Sequence, residues 1–164
     1  MTTYEQALDL MESSPIVLGA IVAAASPAAL ARRPSDDAWS THQVLAHLLH
    51  VETQVIGERI RQMLREDNPL FAPVPPAETL DDPQAILDAW RRARTDNLRL
   101  LRGLTPEQLA RVGRHPRYGS ITVREHAVEW AYHDLDHLRQ ILIALQAELY
   151  PEIGAFQALY PKPT

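Results

Sequence analysis

Helix-start signals recur along this chain and constrain its fold more than any other feature. Ser40-Thr41-His42-Gln43 is a capping box, in which the serine hydroxyl and the glutamine side chain satisfy each other's backbone N–H groups. Trp39 and Val44 flank it as a hydrophobic staple. Thr122-Val123-Arg124-Glu125 is a second box, and Thr105-Pro106-Glu107-Gln108 opens a short piece after Gly103. Asp82-Pro83 and Ser14-Pro15 each pair a cap with a first-turn proline. These signals predict helices over about 4–25, with a break near Pro15, and over about 41–65, 83–102 and 123–147. No alternating run is long enough to predict a strand, so the expected class is all-α, a four-helix bundle of the up-and-down type.

The connections follow from proline. Asp67 to Asp82 holds Pro69, Pro73, Pro75 and Pro76 and reads as a long extended crossover between helices two and three. Arg111 to Ser120, with His115, Pro116 and Gly119, reads as a surface loop. From Tyr150 onward, Pro151, Pro161 and Pro163 prevent the last helix from continuing, so 150–164 is expected to be an irregular tail. At 164 residues and 46% hydrophobic, the chain suits one domain spanning 1–164.

Charge and cysteine content narrow the chemistry. A formal charge of -5 is a poor basis for neutralising phosphates, so nucleic acid is not an expected partner. With no cysteine, disulfides, iron-sulfur clusters and thiolate nucleophiles drop out, and any metal must be held by histidines and carboxylates. The apolar stretch Ile16 to Ala31 follows acidic residues and is interrupted by Pro27, which favours a buried helix over a signal or a membrane span. A cytoplasmic protein without membrane association is the expectation.

Seven histidines then carry the argument. His133 and His137 lie one turn apart and point about 40° from each other, so both imidazoles can reach one ion. A third ligand must come from another helix, and helix two offers His42, His47 and His50. On a regular wheel His47 lies about 110° from the centre of that helix's apolar stripe, at its edge, whereas His50 lies about 170° away and faces solvent. Edge positions on two packed helices converge at the end of a bundle, where a partly open site can form. His47, His133 and His137 are therefore the expected metal ligands. His126 is the reserve candidate on the His133 side, His42 reads as a first-turn surface residue, and His115 as either a loop residue or a visitor to the site from the loop.

Glu52 and Arg59 fall within about 30° of the centre of the same apolar stripe, so each needs a partner. They read as members of a buried polar network or as support for the metal ligands. Gln140 lies on the His133 face one turn further on, where it can meet a ligand or substrate or cap a polar seam. Asp134, adjacent to His133, is the fourth supporting candidate, although with Asp136 it also fits a solvated face.

With these residues in place, the chain resembles the DinB-like superfamily, the group that includes YfiT-type metal-dependent hydrolases and thiol S-transferases. The resemblance covers nearly the whole chain. It runs through Ala38-Trp39-Ser40, His47-Leu48-Leu49-His50-Val51-Glu52 and Glu58-Arg59-Ile60. It resumes at Gly113-Arg114-His115-Pro116 and Gly119-Ser120-Ile121-Thr122, and closes on His133-Asp134-Leu135-Asp136-His137 with Gln140-Ile141. It implies a four-helix bundle, often a homodimer, whose three histidines hold zinc, nickel or a related ion. By position those histidines are again His47, His133 and His137. His50 stands where relatives often carry an acidic residue, which removes a local carboxylate partner.

Three neutral imidazoles leave an ion's charge uncompensated and a coordination position open, an arrangement that activates water or a thiol. The expectation is therefore an enzyme acting on a small molecule, as a hydrolase or as a transferase of a low-molecular-weight thiol. The resemblance leans toward the thiol. The non-enzymatic alternative is a metal-binding or stress-response bundle without turnover.

Overall fold

The computed structural model describes residues 1–77 and 82–163. Four long helical stretches form a bundle. The first is α1 (Thr3–Ala24), followed by the short α2 (Pro27–Ala31). The second consists of α3 (Thr41–His50), a π-helical segment (Val51–Val55) and α4 (Ile56–Arg65). The third is α5 (Pro83–Arg102), followed by the short α6 (Pro106–Leu109), and the fourth is α7 (Val123–Leu149). The caps read from the sequence form as expected: Ser40, Asp82, Thr105 and Thr122 each accept a first-turn N–H. Packing places α1 and α3 each against α5 and α7. Two apolar clusters fill the interior, one around Met11, Leu101 and Trp130, the other around Leu18, Trp90 and Ile141. Burying each such side chain contributes roughly 1.5–3 kcal/mol. Although α1 is long and apolar enough by composition to cross a membrane, its buried face is part of this interior.

Three expectations change. Pro15 does not break α1. A proline has no N–H to donate to the carbonyl four residues back, here that of Met11, but Arg94 Nη1 from α5 donates to that oxygen at 2.7 Å. The donor lies 83 residues away in sequence, out of reach of any local reading.

The second change is the π-helical segment. Ile56 N–H bonds the carbonyl of Val51 rather than that of Glu52, four residues back. The Glu52 carbonyl so released accepts from Asn97 Nδ2 at 3.1 Å. Gly57 lies against this carbonyl so closely that a Cβ there would overlap it.

Third, the predicted loop 111–120 contains a hairpin of β1 (Val112–His115) and β2 (Gly119–Thr122), antiparallel with His115 opposite Gly119. Gly119 closes it at φ 78°, a conformation open to glycine. The start of the crossover adds to this hairpin: Phe71 N–H donates to the Arg114 carbonyl at 2.9 Å and Arg114 N–H to that of Pro69 at 2.7 Å. Strands of four residues with so few apolar side chains leave no periodic signal to read. Residues 78–81 of the predicted crossover lie outside the described residues. The predicted irregular tail is 3-10 helical over Tyr150–Ala158, kinked at Gly154.

Candidate metal centre

α3 delivers His47 and α7 delivers His133 and His137 to one point. His47 Nε2 lies 3.1 Å from His133 Nε2, and His137 Nε2 lies 3.2 Å from the same atom. One nitrogen from each ring falls within 4.8 Å of the others, a group that could hold a metal ion. Two ligands on an ion at about 2.1 Å stand about 3.0 Å apart at a right angle and about 3.4 Å at a tetrahedral one, and both observed spacings fall in that interval.

Proton counting supports the fit. His137 Nδ1 faces Gln140 Oε1 at 2.8 Å, which places that ring's proton on Nδ1 and turns an Nε2 lone pair inward. A single proton on His133 Nε2 cannot serve both neighbouring rings, and His133 Nδ1 is buried without a hydrogen-bond partner among the described residues. A cation at the centre would accept the inward Nε2 lone pairs and so resolve the first of these conflicts, while the His133 Nδ1 proton would still lack a partner among the described residues. Burial, reinforced by the neighbouring imidazoles, pushes His47 down to about 3. His133 is lowered to about 4, again chiefly by burial, with His137 adding to it. Both rings therefore stay neutral near pH 7 and keep their lone pairs. The Trp39 ring stacks on His137 with centroids 6.2 Å apart and lies 5.0 Å from His47, covering the group from outside. Read from sequence only as a hydrophobic staple, Trp39 gave no signal of this position.

The supporting candidates separate. Glu52 is fully buried, and Asp134, which also fitted a solvated face, is 1% exposed. Both meet Arg94 of α5, itself 2% exposed: Arg94 Nη2 lies 2.7 Å from Glu52 and Nη1 2.6 Å from Asp134. Trp90 Nε1 and Asn97 Nδ2 donate to the same Glu52 carboxylate. Asp134 and Glu52 hold Arg94 firmly protonated against the cost of burial, while burial pushes the Asp134 carboxyl up. This network braces α7 one residue from His133. Arg94 escaped the sequence reading, yet it lies four residues from Trp90 and four from Leu98 on the apolar face of α5. The charge-on-a-stripe test that found Glu52 would have found it too.

Arg59 does not join this network. Beyond the π-helical segment the helix face is rotated, and a uniform wheel across Val51–Val55 merges two faces that the structure separates. Arg59 is half-buried over the Phe71 ring and lines a cleft of about 850 Å³ beside the imidazoles. The same phase error sent His50 to solvent; it is half-buried and lines the cleft. His126 is buried in the cleft wall beside Glu129 rather than with the three ligand candidates. His115 stands on β1, its Nδ1 accepting from the N–H groups of Arg117 and Tyr118. His42 is half-buried in the first turn of α3.

Comparison with known proteins agrees with this architecture. No curated protein matches the chain significantly. Among solved structures, YfiT from Bacillus subtilis superposes with a TM-score of 0.79 at 23% identity, covering 92% of this chain and 87% of that one. YfiT is described as a probable metal-dependent hydrolase with an unusual four-helix bundle topology. TT2238, a four-helix bundle protein, superposes with a TM-score of 0.63 at 24% identity, covering 85% of this chain and 98% of that one. The sequence profile of the DinB superfamily matches residues 12–141, from the middle of α1 through the ligand-bearing part of α7, and the chain belongs to that superfamily.

Proposed function

We propose that His47, His133 and His137 hold one divalent ion, zinc or nickel, and that the chain is a metal-dependent enzyme acting on a small molecule in the adjoining cleft. The observation that carries this reading is the convergence of three Nε2 atoms at 3.1 and 3.2 Å in a group bordering that cleft. When bound, such an ion supplies a Lewis acid with an open position, which acidifies water or a thiol at neutral pH. The chain's own residues do the rest. Gln140 fixes the His137 tautomer, burial keeps His47 and His133 neutral, and Trp39 shields the group on its outer side. Apolar walls from Val51, Val55 and Ile56 favour a substrate with an apolar body.

Water leads to hydrolysis and a thiol leads to transfer of a low-molecular-weight thiol onto an electrophile. The YfiT description supports the first, and the residue-level resemblance supports the second. Metal analysis of purified protein, with nickel quenching of tryptophan emission compared between wild type and Trp39→Phe as an optical readout, tests the site. Stoichiometric metal lost in His47→Ala is the expected result. Absence of metal together with an unaltered His47→Ala variant would sink the site. Zinc- or nickel-loaded protein is then assayed with small thiols and monochlorobimane, and with a panel of esters and amides. Turnover in one series assigns the reaction, whereas metal binding without turnover in either would establish a binding module instead.

A further inference from the structure

Two buried polar atoms in the cleft wall lack a hydrogen-bond partner among the described residues: Arg59 Nε and His126 Nε2. Their placement is organised. Phe71 lies under the Arg59 guanidinium, 5.2 Å from ring centroid to Cζ, and stacks against the His126 ring at 6.1 Å. One aromatic ring thus touches both groups, and both line the same cleft. His126 is only 5% exposed, and its Nδ1 lies 3.4 Å from the Glu129 carboxylate. With the ring's proton on Nδ1, toward that carboxylate, Nε2 is left to accept. Glu129 also acts on Arg59 through its charge, yet leaves Arg59 Nε bare. The cleft wall therefore holds a donor carrying positive charge and an acceptor, neither with a partner among the described residues.

His126 precedes His133 by two turns of α7, a separation of about 10 Å along the helix axis. The pair is too far from the three imidazoles to share their ion and close enough for one small molecule to reach both. Val55, Ile56 and Ile121 give the cleft apolar wall, and Glu129, between His126 and His133 on α7, adds one carboxylate.

We propose that Arg59 and His126 form a recognition subsite for an oxyanion with a neighbouring N–H or O–H. The oxyanion accepts from Arg59, the adjoining donor meets His126 Nε2, and the apolar body of the molecule runs toward the three histidines. This rests on the reading that the cleft takes the substrate of the metal site. It adds the substrate's chemical class: a small carboxylate or phosphate bearing an amide or hydroxyl beside its charged end. A bidentate-capable guanidinium suits either oxyanion, and an acceptor on the same cleft wall selects for the donor.

Hippurate, whose aromatic body, amide N–H and carboxylate match this description, is the probe. Three analogues isolate its parts: hippuramide removes the charge, 3-benzoylpropionate replaces the N–H by a methylene, and benzoylaminomethylphosphonate replaces the carboxylate. Binding is measured by calorimetry on the full chain, both zinc-loaded and stripped with EDTA, so that coordination to an ion is separated from the subsite. The expected result is about tenfold tighter binding of hippurate, or of its phosphonate, than of hippuramide, in both forms. Whichever acid binds more tightly names the oxyanion. Arg59→Met, which keeps the packing on Phe71, should remove the preference for the acid, and Arg59→Lys should restore part of it. His126→Phe should keep that preference but abolish discrimination between hippurate and 3-benzoylpropionate. Equal binding of hippurate and hippuramide by the wild type, or a preference that survives Arg59→Met, overturns the subsite. Equal binding of hippurate and 3-benzoylpropionate overturns the part assigned to His126. The metal reading is judged separately: an acid preference in His47→Ala, with zinc binding lost, shows the subsite independent of the ion, and stoichiometric zinc without acid preference refutes the subsite alone.

Discussion

Asn97 Nδ2 donates to the main-chain carbonyl of Glu52, the oxygen that the π-helical segment withdraws from the helix ladder. A second contact from the same nitrogen, at 2.7 Å, reaches the Glu52 carboxylate. Asn97→Ala strands the buried Glu52 carbonyl and takes one donor from a carboxylate that keeps Arg94 and Trp90, and should cost about 2–3 kcal/mol in urea unfolding. Gly57→Ala gives a sharper check. In a regular exposed helix this change stabilises by up to about 1 kcal/mol. Here the new methyl group meets the Glu52 carbonyl, so the sign reverses and unfolding midpoints should fall. A stabilised Gly57→Ala protein would show that the helix runs straight through Val51–Val55.

Arg94 is the only cation in direct contact with two fully buried carboxylates among the described residues. Arg94→Met leaves Glu52 and Asp134 unpaired in the interior, and a loss of about 3–5 kcal/mol is expected in chemical unfolding. Replacing all three residues by apolar ones of similar volume should recover most of that loss, because the cost comes from stranded charge rather than lost packing. Arg94→Lys should not rescue, since one ammonium cannot span both carboxylates and the Met11 carbonyl.

Gln140→Leu removes the acceptor that sets the His137 tautomer. Zinc affinity measured by calorimetry should fall about 10- to 100-fold, while the melting temperature of metal-free protein stays close to that of the wild type. Gln140→Glu, which keeps an acceptor at the same place, should retain most of the affinity. An unchanged zinc affinity in Gln140→Leu would remove Gln140 from the site.

The helix starts and the His133–His137 pair were legible because each depends on residues within a turn of each other, whereas His47, 86 residues from His133, was reached only through the apolar stripe of its own helix and the family resemblance. Ser40 with Gln43, or His133 with His137, needs no tertiary information. What failed was of longer range. A proline at position 15 is read locally as a stop, and the guanidinium that completes its helix comes from α5. The phase of the second helix was misread for Arg59 and His50 because a single wheel cannot represent the turn at Val51–Val55. The hairpin around His115 owes its order to Pro69 and Phe71, whose pairing with Arg114 crosses more than forty residues.

Acid should weaken metal-free protein in a defined window. His47 and His133 titrate at about 3 and about 4 in the folded chain, lowered by burial, against about 6.5 when unfolded. Below about 6.5 the unfolded chain takes up protons that the folded one refuses, so this contribution is fully present above that pH. It is lost progressively as pH falls toward 4 and 3. Urea midpoints at pH 7, 5.5 and 4.5, compared with those of a His47→Gln, His133→Gln double variant, test this. The double variant should show the flatter profile, and parallel profiles would contradict the assignment.

Sharing one guanidinium among the Met11 carbonyl, Glu52 and Asp134 also governs how the bundle comes apart. α1 cannot peel away without baring a backbone oxygen, and α5 cannot leave without baring two charges, so neither can open alone at low cost. Amide hydrogens around Met11 should therefore exchange with solvent through the same opening event as those around Arg94, and the helices behave as one cooperative unit rather than as four separable rods.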